Sequence, residues 1–159
     1  PYCVMRGTAL AEGIGEKLTR LPRVPHCYVL VGKPGVNVST KTAYENLKLD
    51  DPAVVHPDID GMVDAIRRGA LLEVAGKFGN VLELVTGKGY PVIAQIEQVM
   101  KDYGAINAMM SGSGPTVFGL FTSPQAAQAA YQALRFGKAS ELAKQVYLTN
   151  FFNVRQNGL

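Results

Sequence analysis

The chain has 159 residues, of which 47% are hydrophobic and 18% are charged, and its formal net charge is +3. This length accommodates one domain with a substantial core, or one domain with part of a neighbour, but not two complete domains. The basic residues are scattered and no apolar run is long enough to cross a bilayer, which argues against nucleic-acid binding and against a transmembrane segment.

Apolar periodicity, capping residues and glycine or proline breakers divide the chain into short elements. Helical spacing is clearest from Ile59 to Ile66 and from Val92 to Met100, where Pro91 suits a first helical turn. Runs of β-formers bounded by breakers predict strands. In chain order we expect extended segments around a turn at 13–15 within residues 1–20, a strand at 27–31, helices at 42–47, 59–68, 70–78 and 91–103, strands at 105–110 and 116–122, a helix at 124–135, and a strand at 145–152.

These elements follow a β-α-β-β-α-β order that starts with the strand at 27–31 and carries extra inserted helices. This is the order of the split βαβ or ferredoxin-like plan. The sequence therefore predicts an α+β fold of the ferredoxin-like kind. The plan alone leaves the function open, because it also serves RNA-binding, regulatory and metal-carrying modules.

The most informative stretch is a glycine-rich loop between two apolar arms, Met110-Ser111-Gly112-Ser113-Gly114-Pro115-Thr116. Glycines approach a ligand closely and aim successive N–H groups at negative charge, and the serines and threonine add hydroxyl donors. The loop lacks the lysine of a P-loop and the spacing of a dinucleotide site. Taken alone, it is either a phosphate-handling loop or a tight connection between two buried strands in which the glycines serve turn geometry only.

Three sequence blocks occur in the order and approximate spacing of one family. They are GTALAEGIGEKL from Gly7, KPGVNVST from Lys33, and MSGSGPTVF from Met110. On these blocks the chain resembles the C-terminal part of the 4-diphosphocytidyl-2-C-methyl-D-erythritol kinases, within the galactokinase, homoserine kinase, mevalonate kinase and phosphomevalonate kinase superfamily. The resemblance covers essentially the whole chain. Its first block is the most specific to these kinases, and the glycine loop resembles the superfamily's third motif.

The resemblance implies an ATP-dependent phosphotransferase that acts on the 2-hydroxyl of a cytidine-diphosphate-linked methylerythritol, in non-mevalonate isoprenoid biosynthesis. It also implies two domains with the active site between them. Residues 1–22 would be the end of the N-terminal, ATP-binding domain with its crossover strands, and residues 23–159 the C-terminal, substrate-side domain. The missing N-terminal domain would be the natural packing partner, and a homodimer is a further expectation, because a cut domain leaves apolar surface.

The same resemblance places the proposed catalytic Asp just before Pro1 and the main phosphate loop farther upstream. We therefore expect no catalytic residue in this chain, and no activity from it alone, because phosphoryl transfer depends on positioning and on donors around the transferring group. ATP would bind as Mg-ATP in the full-length enzyme. Its magnesium would be held by upstream residues and phosphate oxygens, so we expect no metal site here.

Three positions match substrate-contacting residues of the family, and each has a structural alternative. Tyr44 matches an aromatic that stacks on cytosine, or else faces the core. Ile14 matches a backbone contact to the cytosine edge, or else is an exposed residue of a hairpin turn. Thr40 matches a threonine that faces the substrate. A helix cap is needed at Thr40 or Ser39 in any case, so capping is the favoured role of Thr40, and both roles can hold. Support of the ATP phosphate loop is assigned to Ser111, Gly112, Ser113 and Gly114.

Other chemistry-bearing residues have simpler explanations. Cys3 and Cys27 form neither a metal-ligand pattern nor a disulfide framework, and no signal peptide is evident, so we expect a cytoplasmic protein. Lys33 is a solvated loop residue or a cation for a diphosphate. The remaining candidates for a metal site are explained better as surface histidines and as loop or helix-start aspartates: His26, His56, Asp50, Asp51, Asp58 and Asp60.

The alternative function is a stand-alone ferredoxin-like module that binds a small ligand or RNA. An RNA-binding module needs exposed aromatics on adjacent central strands, with basic residues around them. Phe118 and Phe121 have an odd separation, which places them on opposite faces of their strand. We therefore expect a small-molecule substrate, and neither nucleic acid nor a membrane as partner.

Overall fold

Two antiparallel sheets organise the computed structural model, which describes residues 5–50 and 54–151. β1 (Ala9–Glu12) and β2 (Lys17–Arg20) form a two-stranded hairpin. The larger sheet has the strand order β4-β5-β3-β6, and all its pairings are antiparallel. Its strands are β3 (Tyr28–Lys33), β4 (Asn107–Met110), β5 (Val117–Phe121) and β6 (Gln145–Asn150).

Six helices lie in the described residues, and polar caps begin several of them. Asp58 accepts a hydrogen bond from the N–H of Gly61 at 2.9 Å, and Ser123 accepts one from the N–H of Ala126 at 3.2 Å. The helices are α1 (Thr40–Glu45), α2 (Ile59–Arg68), α3 (Leu71–Gly76), α4 (Glu83–Gly89), α5 (Val92–Asp102) and α6 (Pro124–Arg135).

The strand order confirms the predicted ferredoxin-like plan. β5 lies between β3 and β4 and is antiparallel to both, so β3 and β4 are parallel to each other and form a split βαβ unit. β6 pairs with the other edge of β3. Helices α1 to α5 lie between β3 and β4 in the chain, and α6 lies between β5 and β6.

The core lies mainly on one face of the larger sheet, where α5 and α6 pack. Ile96 and Met100 of α5 and Leu134 of α6 are fully buried there, together with Phe121 of β5. The other face carries a smaller cluster in which Phe118 contacts Phe78, with ring centroids 5.3 Å apart. The two phenylalanines of β5 therefore lie on opposite faces, as expected. The inserted helices cover part of the face that an RNA-binding module would expose.

The structure corrects two elements of the sequence prediction. α4 is not predicted, because Gly87 and Gly89 disfavour a helix; the burial of Leu82 and Thr86 outweighs that low propensity. Gly32 and Lys33 were expected to end the first core strand, yet both belong to β3. A Cβ on Gly32 would lie 3.2 Å from Cγ2 of Ile96, so this glycine is packed against α5 and is not part of a turn.

Cys3, Asp51 and Phe152 lie outside the described residues.

Among the helices of residues 5–50 and 54–151, none is long and apolar enough to span a membrane. In the same residues, no group of three or more His, Cys, Asp or Glu side chains is placed to hold a metal ion. His26 and His56 are exposed, as expected for surface residues. Asp58 begins α2, as expected for a helix-start aspartate.

Replacing a leucine of the packed face should destabilise the fold far more than replacing an exposed one. Leu134→Ala removes a fully buried side chain, and we expect it to lower the free energy of unfolding by about 2–5 kcal/mol. Leu72→Ala is the matched control, because Leu72 is 65% exposed; its effect should stay within about 0.5 kcal/mol. Urea denaturation of both variants measures the difference, and equal effects would contradict the described core.

Candidate functional site

The glycine loop is a closed turn that joins β4 to β5. The N–H of Ser111 donates to the carbonyl of Thr116 at 2.7 Å, and the N–H of Gly114 donates to the carbonyl of Ser111 at 3.0 Å. Gly112 and Gly114 have φ angles of 57° and 87°, a region that side-chain-bearing residues rarely adopt. The two glycines are therefore required by the turn, whatever else the loop does.

The loop also keeps several hydrogen-bond donors unused. None of the hydrogen bonds in the described part of the chain involves the N–H groups of Gly112 and Ser113 or the hydroxyl of Ser111. Ser111 and Gly112 are exposed. Successive N–H groups in a turn, with a hydroxyl beside them, form a concavity suited to an anion. The turn-geometry interpretation and the phosphate-handling interpretation are thus compatible at this loop.

Two side chains that the sequence analysis missed hold the loop from beneath. The amide nitrogen of Asn80 donates to the carbonyls of Met110 and Gly112, at 3.0 and 2.8 Å. Thr86 of α4 donates its hydroxyl to the carbonyl of Ser113 at 3.1 Å. An asparagine after a glycine looks like an ordinary turn residue, and α4 was not predicted. The sequence therefore offered no signal that would single out either residue.

Thr40 connects helix α1 to the glycine loop. Its hydroxyl lies 3.0 Å from the hydroxyl of Ser113. The helix cap is Ser39, whose hydroxyl accepts from the N–H of Thr42 at 3.2 Å. Of the two expected cap candidates, Ser39 takes the role, and the Thr40 hydroxyl faces the loop instead.

Tyr44 lies on the same face of α1 as Thr40, four residues later. Its side chain is 61% exposed, whereas the adjacent Ala43 is buried against the core. The core-facing alternative for Tyr44 is therefore wrong. An exposed ring at this position can offer its face to a planar ligand.

Ile14 lies at the tip of the β1–β2 hairpin and is 99% exposed. Its N–H donates to the carboxylate of Glu16 at 2.7 Å. No hydrogen bond among the described residues joins this tip to Thr40, Tyr44 or the glycine loop. The structure thus places Thr40 against the loop and Tyr44 one turn farther along α1, and it leaves Ile14 at the tip of a separate sheet.

A cleft of about 330 Å³ lies between α1 and α4, next to the loop. Tyr90 borders it and donates its hydroxyl to the carbonyl of Asn37 at 3.3 Å. Apolar side chains such as Val38 and Val85 alternate there with the hydroxyls of Ser39 and Thr42. This lining suits a neutral group of mixed polarity rather than a phosphate.

Glu97 of α5 is a partly buried carboxyl whose Oε1 has no hydrogen-bond partner among the described residues. Burial, and then the neighbouring Glu83, raise its pKa to about 8; the Lys101 ammonium and the backbone amide of Met110 act in the opposite direction. Met110 immediately precedes the glycine loop, so Glu97 lies close to the base of the site. The sequence analysis did not single it out.

Cys27 is a buried free thiol, and burial raises its pKa to about 11. A thiol with a raised pKa is a poor nucleophile at neutral pH. This cysteine therefore contributes packing rather than chemistry.

Comparison with known proteins places these features in context. Residues 52–139 match the family model for the C-terminal domain of GHMP kinases. The 4-diphosphocytidyl-2-C-methyl-D-erythritol kinase of Lachnospira eligens is 59% identical over 153 residues, which cover 96% of this chain and 51% of that protein. The kinase of the same name from Bacillus subtilis is 46% identical over 134 residues, which cover 84% and 46%. The chain thus spans about half the length of the curated relatives it matches.

Solved structures share the fold. A crystal structure of a 4-(cytidine 5'-diphospho)-2C-methyl-D-erythritol kinase has a TM-score of 0.69 at 27% identity, covering 89% of this chain and 48% of that chain. A homoserine kinase from Cytophaga hutchinsonii has a TM-score of 0.72 at 23% identity, covering 94% and 50%. At that identity the second likeness concerns the fold alone.

The two loop glycines should differ sharply in their tolerance of a side chain. A Cβ on Gly114 would lie 2.5 Å from Sδ of Met110 and 3.2 Å from Cγ2 of Thr86, whereas a Cβ on Gly112 would meet no atom within 4 Å. We expect Gly114→Ala to lower the free energy of unfolding by about 2–4 kcal/mol and Gly112→Ala by about 1 kcal/mol, the cost of the backbone angle alone. Urea denaturation tests this, and an equal loss in both variants would contradict it.

Glu97 should make stability fall as the pH rises. Its pKa in the folded state lies above the ordinary value, so its contribution is present at low pH and is lost as the pH passes about 8. We expect a loss of roughly 2–3 kcal/mol between about pH 6 and pH 9, which Glu97→Gln should abolish. The exposed Glu141→Gln is the control and should leave the slope unchanged. Denaturation across this pH range is the measurement; a slope unchanged in Glu97→Gln would refute the assignment.

Proposed function

The chain belongs to the GHMP kinases, as their C-terminal domain, and we propose that the intact protein is an ATP-dependent kinase acting on the 2-hydroxyl of 4-diphosphocytidyl-2-C-methyl-D-erythritol. The observation that carries the proposal is the contact of Thr40 with Ser113, which joins the substrate block and the phosphate block of the sequence. Curated relatives of that name, at 46% and 59% identity, support the choice of substrate. The reaction would serve non-mevalonate isoprenoid biosynthesis.

We assign the phosphate end of the site to the glycine loop. ATP would supply the transferred phosphoryl group. The unused N–H groups of Gly112 and Ser113 and the hydroxyl of Ser111 are donors suited to phosphate oxygens, while Gly114 shapes the turn. Asn80 and Thr86 keep these donors in place by holding the loop carbonyls. We assign no magnesium ligand to the described residues, because they contain no suitable cluster of side chains.

We assign the substrate end to α1 and the hairpin. Tyr44 would stack on the cytosine ring, and Thr40 would orient the acceptor beside the loop. The N–H of Ile14 is held by Glu16, so its backbone contact with cytosine would be made by the carbonyl oxygen, which can accept from an amino group.

We further propose that residues 1–22 close an N-terminal, ATP-binding domain and that residues 23–159 form the substrate-side domain. The separate sheet of the hairpin supports this division. In this arrangement the catalytic base and the main phosphate loop belong to the N-terminal domain, which packs against this chain. The proposed activity is therefore that of the intact protein, since the chain spans about half the length of its relatives.

Steady-state kinetics of the intact protein, with the cytidyl substrate and ATP, test the proposal. Tyr44→Ala should raise KM for the cytidyl substrate about tenfold by removing a stacked ring, while KM for ATP is unchanged. Tyr44→Phe keeps the ring and should stay within about twofold of the wild type. Tyr103→Ala, at another exposed tyrosine, is the control. Absence of phosphorylation of the cytidyl substrate would overturn the function, and a KM effect on ATP alone would overturn the role of Tyr44.

A further inference from the structure

A second cleft, of about 220 Å³, lies at the end of the larger sheet where β3 ends and β6 begins. It is lined by the segment 33–37 at the end of β3 and by Lys144 and Gln145 at the start of β6. The lining is mostly polar, and two lysines and two residues with side-chain amides belong to it. The proposed function gives none of these four residues a role, although the sequence left Lys33 open as a cation for a diphosphate.

Backbone geometry fixes both lysines at this cleft. Lys33 is the last residue of β3 and is paired with Gln145. The N–H of Lys144 donates to the carbonyl of Lys33 at 2.8 Å. A Cβ on Gly35 would lie 3.8 Å from Cδ of Lys144, so the lysine stem runs along this glycine. The two lysines are therefore held as neighbours by the sheet and by the turn that follows β3.

The charges of these lysines are not compensated locally. Within residues 5–50 and 54–151, no carboxylate lies within 4.0 Å of either ammonium, while other lysines such as Lys77 and Lys101 have acidic partners. Like charges held together repel each other and raise the local potential for an anion. Two lysines and two amide side chains offer more donors than the two oxygens of a carboxylate can accept. A phosphate group has more acceptor oxygens and therefore suits this set better.

The lysine cleft and the glycine loop lie at the same end of the sheet. Gly32 pairs with Val117, the first residue after the loop, and with Val146 on its other side. β5, which follows the loop, and β6, which follows Lys144, lie on either side of β3, and neighbouring strands are about 4.8 Å apart. About 10 Å therefore separates the start of β5 from Lys144. The segment between β3 and α1 runs from Lys33 to Thr40, which contacts Ser113. An anion in the cleft would thus touch the same segment that carries Thr40.

We propose that the cleft formed by Lys33 and Lys144 binds a phosphate group, as an anion subsite beside the glycine loop. The phosphate belongs either to a ligand of the kinase reaction, in which case the inference rests on the proposed function, or to a free inorganic anion. Both sources share the same chemistry. The cleft supplies positive charge and amide donors, and it takes no part in bond making.

Titration of the intact protein with inorganic pyrophosphate, by calorimetry, tests the site without requiring activity. Lys33→Gln and Lys144→Gln should each weaken binding about tenfold, the loss of one charge-assisted contact, and the double variant should weaken it further. Lys33→Arg and Lys144→Arg keep the charge and should remain within about threefold. Lys138→Gln, at another exposed lysine, controls for net charge. Thermal melting of each variant shows that it is folded.

Kinetic constants of the same variants identify the source of the phosphate. A raised KM for the cytidyl substrate alone identifies its diphosphate, and a raised KM for ATP alone identifies the nucleotide. Weaker pyrophosphate binding with both KM values unchanged identifies a free anion. Pyrophosphate binding that is absent in the wild type, or that is equal in the wild type and a folded double Gln variant, overturns the subsite. Neither result depends on whether the cytidyl substrate is phosphorylated.

Discussion

The conformation of the glycine loop depends on the side chains that donate hydrogen bonds to its carbonyl groups. Asn80 donates to the carbonyls of Met110 and Gly112, and Thr86 of α4 donates to the carbonyl of Ser113. These three carbonyls therefore have partners in α4 and in the segment just before it. The N–H groups of Gly112 and Ser113 then remain available on the loop. Backbone carbonyls that are shielded from water need partners, and the hydrogen bonds to Met110 and Ser113 are partly buried. Thr40 of the candidate site also contacts this loop, through Ser113.

The sheet explains why separate sequence blocks meet. β3 and β5 are adjacent and antiparallel, so the end of β3 and the start of β5 lie side by side. The segment after β3 begins α1, and the glycine loop precedes β5. Thr40 and Ser113, 73 residues apart in the chain, therefore come within 3.0 Å. At the same end of the sheet, the N–H of Lys144 donates to the carbonyl of Lys33.

Much of the fold followed from local patterns. The helix at 59–68 has a strong apolar periodicity and an Asp cap, and both signals act within a few residues. α4 was missed because its glycines oppose a helix and only burial against the core favours it. Thr40 and Ser39 are both suitable caps by residue type, and only the structure shows that Ser39 caps α1 while Thr40 contacts Ser113. Asn80 and Glu97 gave no signal, since their partners are distant in sequence.

The sequence by itself determined the order of the strands and of every helix except α4, the ferredoxin-like plan, the turn glycines and the resemblance to a kinase family. These depend on residue type and local spacing. Only the tertiary structure decided that Tyr44 is exposed, that Thr40 faces the loop, that Glu97 is partly buried beside Glu83, and that Lys33 and Lys144 share a cleft. Each of these depends on contacts between segments far apart in the chain. Such contacts are set by packing of the sheet and helices, which no local pattern encodes.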